Sequence, residues 1–93
     1  MSPWRPTRRE DVTVHELDGE GLVFDARSGD THRLNTTALF IWTACDGRCE
    51  VRDLAGELMK FYDVAFDSAL EHVERTLHEF QERSLLAGGE RPA

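Results

Sequence analysis

Four histidines and two cysteines are the side chains of this sequence best suited to metal or nucleophilic chemistry, and their spacing supports neither. His72 and His78 are six apart, about 240° around a helix, so they cannot grip one ion together. His15 and His32 fall in separate extended stretches, where either could pair with a carboxylate such as Glu16 or Asp25. Cys45 and Cys49 are separated by Asp46-Gly47-Arg48. A structural zinc site needs four ligands, usually as two close pairs, and here there is one pair with an unsuitable gap. Two reduced thiols at a helix end is the favoured reading; a disulfide or a metal pair is the alternative. Gly19 and Gly21 sit in a hairpin rather than before a helix, so they form no phosphate loop. There is no G-x-S-x-G turn. A chain of 93 residues also leaves little room for a substrate pocket of about 300–1,000 Å³. These features argue against an enzyme and call for no cofactor or metal.

Charge narrows the remaining classes. The chain has 18 acidic and 11 basic residues, a formal net charge of −7. Arg5, Arg8 and Arg9 contribute +3 near the N-terminus, which leaves −10 for the rest. A protein whose task is to hold nucleic acid or anionic lipid needs a basic face. No apolar stretch approaches the roughly 20 residues of a membrane span, and no signal-peptide pattern opens the sequence. A cytoplasmic protein is expected.

The elements follow from local pattern. All three prolines (Pro3, Pro6 and Pro92) lie near the ends. Residues 1–10 are therefore expected to be a flexible basic tail, 11–86 the domain, and 87–93 a second flexible tail. Val12 to Leu17 reads as a strand, Asp18-Gly19 as a hairpin turn, and Leu22 to Ala26 as a second strand. Leu22, Phe24 and Ala26 share one face of it, because strand side chains alternate, and a meander needs another layer to cover its apolar face. Arg27 to Asp30 is a turn, and Thr31 to Leu34 a short third strand.

The hydrophobic period then changes to that of a helix. Asn35 is a good N-cap for a helix carrying Ala38, Leu39, Ile41, Trp42 and Cys45. A second helix is expected from about Val51 to Tyr62, with Glu50 or Cys49 as a poor cap. A third begins at Asp67 or Ser68, where Ser68 and Glu71 fit a capping box. It carries the stripe Phe66, Leu70, Val73, Leu77 and Phe80. The expected fold is α+β: a three-stranded antiparallel meander followed by a three-helix bundle, winged-helix-like in its helix pair and small sheet.

That likeness raises DNA binding as an alternative function, which the charges oppose. The third helix sums to −3 over residues 67–83, and the second to −1 over 50–62. A recognition helix is basic. Peptide binding fits better. The third strand would be a sheet edge, which presents unpaired N–H and C=O groups to another strand. The edge could instead be blunted by His32 and Arg33, or could pair with a second copy to give a homodimer.

The sequence also resembles a known family. The runs Phe24-Asp25-Ala26-Arg27-Ser28-Gly29 and Leu34-Asn35-Thr36-Thr37-Ala38 are followed by Ile41-Trp42 and Asp46-Gly47. Leu54-Ala55, Leu58, Tyr62-Asp63-Val64, Leu77 and a terminal Leu85-Leu86 come after them. In this order and spacing, over about residues 12–86, they resemble the PqqD family. Thr36 stands where that pattern often has Pro, and Ser84 where it often has Gly. Ser28 to His32 is similar to stand-alone members found beside a kinase-like partner, rather than to the PQQ-biosynthesis protein itself.

The resemblance implies a peptide chaperone of three strands and three helices. Such a protein binds the leader segment of a ribosomally made precursor peptide. It presents that segment to a modifying enzyme, often a radical SAM protein. The leader would join the sheet beside Thr31, His32, Arg33 and Leu34. On the third helix the resemblance points to Glu74, Leu77, His78 and Gln81, with core packing as the competing role for Leu77.

Overall fold

The computed structural model describes residues 4–87. Three strands, β1 (Val12–Leu17), β2 (Glu20–Asp25) and β3 (Asp30–Leu34), precede three helices, α1 (Thr36–Ala44), α2 (Val51–Phe61) and α3 (Phe66–Glu82). The strands form an antiparallel sheet in the order β1-β2-β3. The expected α+β architecture of a meander followed by three helices is present.

Local chemistry explains the turns. Asp18 and Gly19 both take positive φ, 54° and 82°. That is the two-residue hairpin geometry that Asp-Gly favours. In the next turn Gly29 has φ 79° and donates its N–H to Asp25 O at 2.8 Å.

The buried face of β2 is not the one that carries Leu22 and Phe24. Gly21, Val23 and Asp25 are buried, while Leu22 and Phe24 are about 40% exposed. The cause is the approach of α1. A Cβ on Gly21 would lie 2.8 Å from Leu39 Cδ1, so the position without a side chain must face the helix. Strand side chains alternate, and one slip in register moves every residue to the other face.

α1 starts as expected, with Asn35 Oδ1 accepting from Ala38 N at 2.8 Å. It buries Leu39, Ile41 and Trp42, because it lies between the sheet and α3. Trp42 meets Phe80 of α3 edge-on, with ring centroids 5.4 Å apart. α2 is opened by Glu50, whose N–H donates to Asp53 Oδ2 at 3.1 Å.

α3 begins at Phe66 rather than at Asp67 or Ser68. Its N-cap is Ala65, which offers no side-chain cap. Phe66 is half-buried with the Arg52 guanidinium over its ring, 5.9 Å from the centroid, so packing holds this end where a cap does not. At the other end Leu85 N donates to Phe80 O and Ser84 N to Gln81 O, at 2.9 and 3.0 Å. With Ser84 at φ 57° this is a Schellman termination.

Within the expected flexible tail over 1–10, residues 4–9 pack on the domain. Pro6 is fully buried and Trp4 packs against the core. Gly47 N donates to Pro6 O at 3.1 Å, Arg8 N to Cys45 O at 2.8 Å and Arg9 N to Leu85 O at 3.2 Å. The Arg8 guanidinium caps the α1 carbonyls of Trp42 and Thr43. Backbone pairing with two separate loops, at Asp46 and Leu86, turns the segment into a strap. Of the tail expected over 87–93, Ala87 donates its N–H to Thr7 O at 2.7 Å; residues 88–93 lie outside the described ones, as do 1–3.

Candidate functional site

Among the described residues β3 is an edge of the sheet, paired only with β2. The register sets Arg33 opposite Leu22 and Thr31 opposite Phe24. These four therefore share the outer face of the sheet, away from the helices. His32 lies opposite the buried Val23, and Leu34 opposite the buried Gly21. Leu34 is buried in the core and His32 is half-buried, so these two look toward the helical layer. Arg33 Nε is 3.5 Å from Glu20 Oε1, with both side chains exposed.

α3 lies across from this edge without closing on it. No Cα of β3 is within 8 Å of a Cα of α3, whereas α1 packs against β2, β3 and α3. β3 and α3 are therefore tied together through α1 rather than by direct backbone approach. Around α3 the buried residues Ala69, Val73, Thr76, Leu77 and Phe80 make one stripe. Leu70, Glu74 and Gln81 are half-buried along one border of it. Gln81 lines a cavity of about 700 Å³ together with Arg27 of the β2–β3 turn, which turns this border toward the hairpin.

The candidate helix residues do not all converge. Glu74 and His78 line one groove of about 450 Å³ with Asp67, Leu70, Glu71 and Arg75. His78 Nε2 lies 2.8 Å from Glu82 Oε1, and Arg75 Nη2 is 3.1 Å from Glu71 Oε1. Gln81 belongs instead to the cavity it shares with Arg9 and Arg27. Leu77 is 1% exposed and serves the core. Leu70 is the apolar wall residue that sequence reasoning assigned to the core stripe. Its place at the stripe's border was the available signal.

Between the base of the β2–β3 hairpin and the end of α3 stands a buried ion pair. Arg9 Nη1 donates to Asp25 Oδ2 at 2.8 Å and Nη2 to Asp25 Oδ1 at 3.1 Å. Asp25 also accepts from Arg27 N at 3.0 Å. The hydrogen bonds from Arg9 hold the Asp25 carboxyl down at about 2, against the desolvation that would raise it. The Arg9 guanidinium is shifted upward in turn, by Asp11 first and then Asp25.

The cysteines show no activation. Burial pushes the Cys45 thiol up to about 12, and burial also raises that of Cys49. Both are free thiols. Neither is a thiolate nucleophile at neutral pH. Among the described residues no group of three or more His, Cys, Asp or Glu side chains could hold a metal ion. No described helix is long and apolar enough to cross a membrane.

Comparison with known proteins follows the same outline. The fold is similar to that of TbiB1, solved in complex with the TbiA(beta) leader peptide. The TM-score is 0.81 at 15% identity, covering 91% of this chain and 99% of that one. It is also similar to lasso peptide synthetase B1 complexed with the leader peptide. There the TM-score is 0.78 at 23% identity, covering 89% and 98%. At such identities the likeness shows a shared fold. No curated protein matches the chain. The family model for PqqD, coenzyme PQQ synthesis protein D, matches residues 20–86. With that match running from β2 to the final Leu-Leu pair, the chain belongs to the PqqD family.

Proposed function

We propose that this protein is a non-catalytic peptide chaperone. It takes the leader segment of a ribosomally made precursor peptide as an added strand along β3, and holds it for a modifying enzyme. The observation that carries this reading is the edge of β3, which among the described residues pairs with β2 alone, together with the groove of about 450 Å³ along α3. Alternate residues of an edge strand direct their N–H and C=O groups away from the sheet. An extended peptide meets those groups in register, and every second side chain turns toward the helix. Leu70 offers that side chain an apolar contact, while Glu74 and His78 offer polar ones. Both similar solved structures are named as complexes with leader peptides, which favours a leader over other extended ligands. The acidic helices disfavour the DNA-binding alternative.

The test is titration of isotope-labelled protein with synthetic peptides from short reading frames beside its gene. Amide shifts should concentrate on residues 31–34 and on Leu70 to His78. Shifts confined to other surfaces would overturn the binding mode. Proline at His32 and at Arg33 sharpens the test. One of these neighbours points its N–H outward, where proline leaves the sheet intact. That variant should lose the peptide, and unchanged affinity would count against strand addition. Sizing chromatography at several concentrations checks whether the edge pairs instead with a second copy. Presentation requires that the protein accelerate modification of the bound precursor by the neighbouring enzyme, whether radical SAM or kinase-like.

A further inference from the structure

β3 and α3 are held relative to one another by two different parts of the chain. Near Leu34, α1 packs on the sheet and on α3 at once. Near the β2–β3 turn the two are joined by Arg9. Its Nη1 donates both to Asp25 Oδ2 and to Ser84 O, each at 2.8 Å. Its Nη2 donates to Asp25 Oδ1 at 3.1 Å and to Asp11 Oδ2 at 2.8 Å. Its Nε donates to Asp11 Oδ1 at 3.0 Å. A guanidinium has five N–H groups in one rigid plane, and all five are engaged here. Asp25 is the last residue of β2, directly before the turn into β3. Ser84 follows the end of α3. One planar group thus spans from the base of the hairpin to the end of the helix. The Arg9 and Asp25 side chains are only 10% and 5% exposed.

We infer that Arg9 is a positioning residue for the peptide site, setting the distance between β3 and α3. The inference rests on the reading that β3 and α3 take a peptide. A strand added beside β3 must lie about 4.8 Å from it, while its side chains reach the helix. No Cα of β3 comes within 8 Å of one of α3, so the spacing of the two backbones is set through the elements that join them. A helix that drifts by an ångström forfeits either the backbone ladder or the contact with Leu70. Lysine cannot replace Arg9, because an ammonium has three donors and no plane.

The test measures spacing first, in the free protein. Spin labels at Thr31→Cys and His78→Cys, in a Cys49→Ser background, report the distance between β3 and α3 by pulsed dipolar spectroscopy. The distribution should be narrow with Arg9, and broadened or displaced in Arg9→Lys and Arg9→Met. The same variants should bind the leader peptide about tenfold more weakly, through faster dissociation. Leu54→Ala, which removes a core side chain of α2, is the control. It should lower the melting temperature while leaving distance and affinity unchanged. If loss of Arg9 lowers the melting temperature but alters neither distance nor affinity, Arg9 is merely structural and the inference is overturned alone. If the wild-type protein binds no leader peptide, the functional reading is overturned and this inference with it.

Discussion

Gly21 of β2 lies so close beneath Leu39 of α1 that a side chain there would have to displace the leucine. A Cβ on Gly21 would stand 2.8 Å from Leu39 Cδ1. Gly21 thus lies on the face of the sheet that carries the core, beneath α1. Gly21→Val should therefore destabilise the protein by about 1–3 kcal/mol through overpacking. Leu22→Thr, on the outer face, should change stability by less than about 1 kcal/mol. Urea denaturation of the two variants checks this. An equal loss in both would contradict the assignment of faces.

The Arg9–Asp25 pair predicts a particular pH dependence. An unperturbed aspartate titrates near ~3.9, whereas Asp25 in the folded protein titrates at about 2. As the pH falls, the unfolded chain takes up this proton before the folded one does. The stabilisation is complete above the unfolded value and is lost as the pH falls through the folded one. Asp25→Asn should therefore melt below the wild type near neutral pH. The gap should narrow between about pH 4 and about pH 2. Thermal melts across that window test it, and a gap that stays constant would refute the linkage.

Ser84 holds a left-handed backbone at the C′ position of α3, with φ 57°. A β-carbon there costs roughly 1–2 kcal/mol, and glycine avoids the cost at some expense in chain entropy. Ser84→Gly should raise stability by about 0.5–1 kcal/mol, a few degrees in melting temperature. It also keeps the Ser84 carbonyl that Arg9 uses, so peptide affinity should not change. Differential scanning calorimetry of the variant checks the first claim and peptide titration the second.

Much of the fold was legible because its signals are local. The Asp18-Gly19 turn and the Asn35 cap are short-range chemistry that works wherever the segment is placed. The stripe from Val73 to Phe80 is equally local, since it follows from helical period. The edge position of β3 followed from tight turns, which allow a meander. The start of α3 was misread because Ser68 and Glu71 form a good capping pattern. Phe66, packed under Arg52, holds the first turn two residues earlier. The helix wall was legible only in part. Glu74 and His78 do share a groove, but Leu77 is core and Leu70 borders the groove. A stripe one residue wide cannot tell its centre from its border.

The sequence by itself determined the order of elements, the hairpins and the acidic helices, because these depend on neighbours within a few residues. Tertiary structure decided which face of β2 is buried, since that rests on how near α1 comes to Gly21. It also decided that residues 4–9 are a strap rather than a tail. Arg9 and Asp25 each read as ordinary surface charges along the chain. Only folding brings them together, out of water, where each becomes the other's necessary partner.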